Sequence, residues 1–199
     1  MPLVAPKPPT TAESALALGL QSLAGSPEVG RLYVQLPKLS FTMPHKVFEL
    51  PLAALLPQGG APAAPTLATA EHIGWRFLIH DSNLFPNSQP VAAAELEATG
   101  GEIRHINFGP FVHATALAIG RLAPLSAFND ADYEVRVLQV LPLLIVALWI
   151  TRVDGLREVL VPLAPSPWYL TANRQYTVPE LFAATAPEAA RVPTYTTDP

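Results

Sequence analysis

The spacing of apolar residues along the chain predicts more strands than helices. In several short stretches, apolar residues recur at every second position, which is typical of strands that bury one face. In "HIGWRFLIH", for example, Trp75, Phe77 and Ile79 share one face. The stretch "VAAAELEA" is also interpreted as a strand, although its composition suits a helix. Further strands are predicted in "RLYVQLPKLSFTMPHKVFEL", where Pro37 and Pro44 should break the strand, in "GGEIRHINFG", in "DYEVRVLQV" and in "LREVLVPLAP".

The first predicted helix is amphipathic and follows a Pro-rich arm. It runs from about Ala12 to Ala24, and Leu16, Leu20 and Leu23 recur in it at i, i+4 and i+7. These three leucines form one apolar stripe, which must dock on the body of this chain or on a partner. We therefore treat them as candidate interface residues.

Two more helices are predicted further along the chain. One begins at Pro110 in "PFVHATALAIGRL", with proline at the first helical position, where its missing N–H costs little. It is apolar nearly all round, so we expect it to be buried. The other follows a capping box formed by Thr177 and Glu180 and runs to about Arg191.

The most apolar stretch of the chain is "LPLLIVALWIT", at positions 141–151. The run between Arg136 and Arg152 is shorter than the roughly 20 residues that a spanning helix needs, so no membrane span is predicted. The pair Asp154-Gly155 follows and tolerates positive φ, which favours a hairpin turn. The stretch is therefore interpreted as a strand that leads into a central hairpin.

The covering of this strand is a separate question. Alternation is clear in "YEVRV" and is lost from Leu143 to Trp149, which predicts that both faces are covered there. One cover is expected to be the helix that begins at Pro110. The other cover is left open between the first helix, the last helix and a neighbouring subunit.

Together these elements predict an α+β fold built on a mainly antiparallel sheet. Residues 1–30 form an N-terminal arm and amphipathic helix, and residues 31–199 form a single domain. A loop rich in Pro, Gly and Ala, at residues 57–69, is the best candidate boundary inside that domain.

Composition excludes several classes of function. Only 14% of the residues are charged, against about 25% in typical globular chains. The low fraction of charged residues is explained equally well by other subunits that cover part of the surface and by a compositional bias of the genome. The net charge of -4, with no two Lys or Arg residues adjacent, argues against nucleic-acid binding. Cysteine is absent, which excludes disulfides and thiolate chemistry. The N-terminus does not resemble a signal peptide, so a cytoplasmic location is expected.

The sequence contains few candidates for catalytic or ligand-binding residues. No serine-nucleophile, P-loop or dinucleotide-binding motif is present, and neither a catalytic residue, a metal site nor a cofactor is predicted. A small polar cluster is conceivable where His80 and Asp81 end one strand near His105 and His113, but the favoured interpretation is that each histidine is a surface or structural residue. The pair Glu95/Glu97 is interpreted as a solvated strand face.

Two functions from different classes remain. The first is a non-enzymatic interaction or assembly protein, a subunit of a homo-oligomer or larger protein complex. Trp168 and Tyr169, in a Pro-rich loop, are further candidate interface residues, or they cap the core. The alternative is a small-ligand-binding domain or hydrolase, with a pocket near His80, Asp81, His105 and His113.

Overall fold

Eight strands and three α-helices make up the described part of the chain. A computed structural model describes residues 3–23, 39–56, 64–81 and 89–193. The strands are Leu3–Val4 (β1), Leu39–Glu49 (β2), Glu71–Asp81 (β3), Ala92–Glu97 (β4), Ile103–Asn107 (β5), Tyr133–Val140 (β6), Ile145–Arg152 (β7) and Glu158–Pro162 (β8), and the helices are Ala12–Leu23 (α1), Pro110–Leu122 (α2) and Val178–Ala189 (α3).

The strands form one mostly antiparallel sheet, which confirms the predicted α+β class. Its order is β5-β4-β3-β2-β6-β7-β8, and β1 pairs with β6 outside this path. Strands β2 to β5 and strands β6 to β8 are two antiparallel meanders. Where the meanders meet, β2 and β6 run parallel, as do β1 and β6. A parallel pair needs a long crossover, and α2 lies within the crossover between β5 and β6.

The helices cover the sheet on both faces. Helix α2 packs on the face that carries Val47 and Val137. Helix α1 lies on the opposite face, where Leu16 and Leu20 pack against Trp75 and other residues of β3 and β4. The apolar stripe of α1 is thus used within the chain, except that Leu23, at the end of the helix, is 36% exposed.

The apolar run 141–151 has helices of this chain on both faces. Leu148 of β7 packs in the cluster that contains α2. Trp149, which points the other way, packs in the cluster that contains Leu181 of α3. The second cover is therefore the C-terminal helix. The run is not one strand, however, because Leu141–Leu143 form a short 3₁₀ turn and β7 begins only at Ile145.

Four local features of the structure test predictions made from the sequence. Gly155 has φ of +77° in the turn between β7 and β8, as the predicted hairpin requires. Thr177 and Glu180 form the predicted capping box of α3. The expectation that α2 is buried nearly all round is wrong, because Leu117 is 46% exposed. Pro44 does not break β2, which continues through it.

Some predictions fall outside the described residues. They are the strand expected near residues 32–36 and the greater part of the loop at 57–69. No helix within the described ranges is long and apolar enough to cross a membrane.

Candidate functional site

The four predicted ligand-binding residues do not lie together. Across the sheet, Arg76 of β3 lies opposite Glu95 of β4, which in turn lies opposite His105 of β5. His80 is four residues beyond Arg76 on β3, so it is four positions and two strands away from His105. At about 3.3 Å per residue and 4.8 Å per strand, their backbones are about 16 Å apart. Strand alternation places His80 and Asp81 on opposite faces, and each has an interaction partner.

The remaining histidine of that set, His113, is exposed on α2. Within the described residues, no group of three His, Asp or Glu side chains is placed to hold a metal ion. These four residues therefore do not converge on one pocket.

The predicted interface residues of the Pro-rich loop have different environments. Trp168 is 83% exposed. Tyr169 is half-buried, and its hydroxyl donates a hydrogen bond to the carbonyl oxygen of Leu143 at 3.1 Å. This bond holds the loop against the turn between β6 and β7. Leu144, in that turn, is 79% exposed. Tyr169 thus caps the core, as one of the two predicted alternatives has it, whereas an interface role of Trp168 stays a prediction.

A fork in the sheet creates a cavity that the sequence did not predict. Strand β2 pairs with β3 along its whole length but with β6 only from Lys46 to Glu49. The short strand β1 fills part of the gap by pairing with the start of β6. A cavity of about 330 Å³ lies at this fork. The residues that line it come from the arm, β2, α2 and β6, and they are Leu3, Val4, Ala5, Met43, His45, Ile119, Ala123 and Val135.

A β-bulge places His45 in this cavity. Between Thr42 and His45, three steps along β2 oppose two steps along β3, from Leu78 to Arg76. Pro44 cannot donate a ladder hydrogen bond, and Met43 has φ of +51°, which is unusual for a side chain of its size. Bulges of this kind re-aim side chains and are common beside functional sites. Proline in an apolar strand was the available signal for this irregularity.

His45 is the polar side chain of the cavity. It is only 1% exposed, and its Nε2 has no hydrogen-bond partner within the described residues. Burial and, to a smaller extent, the positive charge of Arg76 together lower the pKa of His45 to about 3, although a hydrogen bond with the backbone of Pro44 acts in the opposite direction. The ring is therefore neutral at physiological pH.

No family model, curated protein or solved structure matches this chain. The kind of ligand is therefore inferred from the residues that line the cavity and from the polar residues that lie behind His45.

Behind His45, a row of polar residues crosses the sheet on the same face. His45 pairs with Arg76, Arg76 with Glu95, and Glu95 with His105. Arg76 and Glu95 are both buried, and Nε of Arg76 donates to Oε1 of Glu95 at 2.8 Å. The predicted solvated face for Glu95 is thus wrong, although Glu97 is exposed. This ion pair compensates the buried charge next to His45.

The opposite face of the sheet carries a second polar group between α1 and α3. The carboxylate of Glu134 accepts hydrogen bonds from Nζ of Lys46 at 3.1 Å and from Nε of Arg136 at 2.6 Å. Burial would raise the pKa of Glu134, but these hydrogen bonds outweigh it and lower the pKa. Arg136 also lies over the ring of Trp149, and Lys46 over that of Trp75. Because both cations share this carboxylate and lie over aromatic rings, we interpret the group as a structural layer that covers the sheet between the two helices.

Proposed function

We propose that this chain is a non-enzymatic binding protein that holds a small, mainly apolar ligand in the cavity at the fork. One observation carries the proposal: a buried His45 with an unpartnered Nε2 lines a cavity that is otherwise apolar. Ligand sites commonly have volumes of roughly 300–1,000 Å³, apolar linings and a few polar groups that fix orientation. The bulge that positions His45 supports the same proposal.

The residues of the cavity favour binding over hydrolysis. His45 is the only ionisable side chain among the described residues that line it. A general base works best with a pKa near the working pH, whereas the pKa of His45 is about 3. The absence of cysteine fits a reducing compartment, so a cytoplasmic location is part of the proposal.

Filling the cavity should weaken ligand binding. Ala123 lines it and is the C-cap residue of α2. We expect Ala123→Phe to weaken binding of 2-methylnaphthalene at least about tenfold, since the added ring occupies the space of the probe. The matched control is Ala190→Phe, at the exposed C-cap of α3, which should bind like the wild type. Amide chemical shifts in ¹H–¹⁵N spectra would measure both; a wild type that binds neither this probe nor its hydroxyl analogue 2-naphthol would refute the proposal.

A second candidate function is assembly, as a subunit of a homo-oligomer or larger protein complex. Leu144 and Trp168 are 79% and 83% exposed at the same end of the sheet. Leu144 also has φ of +53°. A leucine in this region is strained, and strain at an exposed position points to a role outside the fold. We propose a second copy of this chain as the partner, because a two-fold contact would bury the same apolar patch on both sides.

Asparagine at position 144 should stabilise the fold and weaken assembly together. Asparagine tolerates the left-handed conformation, so Leu144→Asn is expected to raise the free energy of unfolding by about 0.5–1 kcal/mol. The same change removes apolar surface from the proposed contact. Urea unfolding would measure the first effect and sedimentation velocity the second. A wild-type chain that stays monomeric at high concentration would rule out self-assembly.

A further inference from the structure

The hydrogen bond to Pro44 determines the chemistry of the free ring nitrogen of His45. Proline has no backbone N–H, so in the bond between His45 and the Pro44 backbone the imidazole must be the donor. Nε2 has no partner within the described residues, so the donor is Nδ1. A neutral imidazole carries one N–H, and Nε2 is therefore a lone-pair acceptor. His45 therefore offers a ligand an acceptor and no donor, and because Nε2 is itself buried from solvent, a donor reaches it only as the ligand packs against the ring.

The rest of the lining restricts the charge of the ligand. The other seven lining residues that the structure describes are all apolar, from Leu3 in the arm to Val135 in β6. A carboxylate or ammonium group would therefore enter without a counter-charge, which is strongly unfavourable. Water does not satisfy Nε2 in the empty cavity, because this atom is buried from solvent.

We propose that the ligand is uncharged and apolar except for a hydroxyl or N–H group, which donates one hydrogen bond to Nε2 of His45. Alcohols, phenols and indole-like rings belong to this class. The inference rests on the proposed binding function and adds the polarity of the ligand. It assigns His45 the role of the group that selects and orients the ligand.

The test compares two probes of the same shape. In 2-naphthol a hydroxyl replaces the methyl group of 2-methylnaphthalene. Of these two probes 2-methylnaphthalene is the more apolar, so a purely apolar cavity would prefer it. We expect the wild type to bind 2-naphthol about tenfold more tightly, because only this probe satisfies Nε2. In His45→Leu the preference should reverse, since the acceptor is replaced by an apolar side chain. A third probe, 2-naphthoate, should not bind either protein.

A matched variant separates this role from a general effect of removing a histidine. Nε2 of His72 also lacks a partner within the described ranges, but His72 lies elsewhere in the sheet, beside Phe48 and Trp75. His72→Leu should keep the wild-type preference for 2-naphthol. If neither uncharged probe binds the wild type, the proposed function itself fails. If both bind and 2-methylnaphthalene is preferred, or if His45→Leu keeps the preference for 2-naphthol, only the inferred ligand class is overturned.

Discussion

Replacing Glu95 by glutamine is expected to lower the free energy of unfolding by about 3–5 kcal/mol. Arg76 and Glu95 are 4% and 7% exposed and lie on neighbouring strands. Arginine cannot lose its proton under ordinary conditions, so Glu95→Gln leaves a buried positive charge without a partner. Next to it lies His45, whose neutral ring cannot compensate that charge. Urea unfolding at neutral pH would measure the loss.

The pair itself contributes less than either single change suggests. The charges lose solvation on folding, and their mutual attraction repays only part of that cost. The double variant Arg76→Met/Glu95→Leu should therefore recover most of the lost stability, which gives a coupling energy of at least about 2 kcal/mol. The control is Arg191→Met, which breaks a pair whose arginine side chain is 69% exposed and should cost less than about 1 kcal/mol. Additive single and double changes would show that the two groups do not act as a pair.

Local patterns were sufficient to predict much of the fold. Alternation in residues 72–80 identified β3, and the loss of alternation near Trp149 identified a strand covered on both faces. These features depend on residues within a few positions of one another. The identity of the second cover was open because the choice between α1, α3 and a neighbouring subunit depends on tertiary packing.

The site was not predictable because it depends on register. Whether His80 contacts His105 depends on the register of β3 with β4 and of β4 with β5. The spacing of residues along one strand does not determine that register. For the same reason Glu95 was expected to be solvated, since its partner Arg76 lies on another strand. His45 was overlooked because its burial requires the fork between β2 and β6. The one local signal was Pro44, which indicated a break and proved to be a bulge.

Acidification should destabilise the folded protein through His45. Its pKa is about 3 in the folded state, against an ordinary value of 6.5, because burial and the charge of Arg76 disfavour the protonated ring. Between these values the unfolded chain binds the additional proton, so the stabilising contribution is complete above pH 6.5 and decreases as the pH falls towards 3. This shift corresponds to about 2 kcal/mol lost between pH 7.5 and 5, and about 5 kcal/mol over the whole window.

The measurement is urea unfolding of the wild type and His45→Leu at pH 7.5 and pH 5. This range stays above the pH at which Glu134 and Glu180 take up protons, because their pKa values are lowered from 4.5. His72 has a lowered pKa as well, mainly from burial, so His45→Leu should keep part of the slope. The difference between the two proteins therefore isolates His45, and it should grow by about 2 kcal/mol in favour of the variant as the pH falls. Equal slopes would mean that His45 has the same pKa in the folded and the unfolded chain, so that neither burial nor Arg76 keeps its ring neutral below pH 6.5.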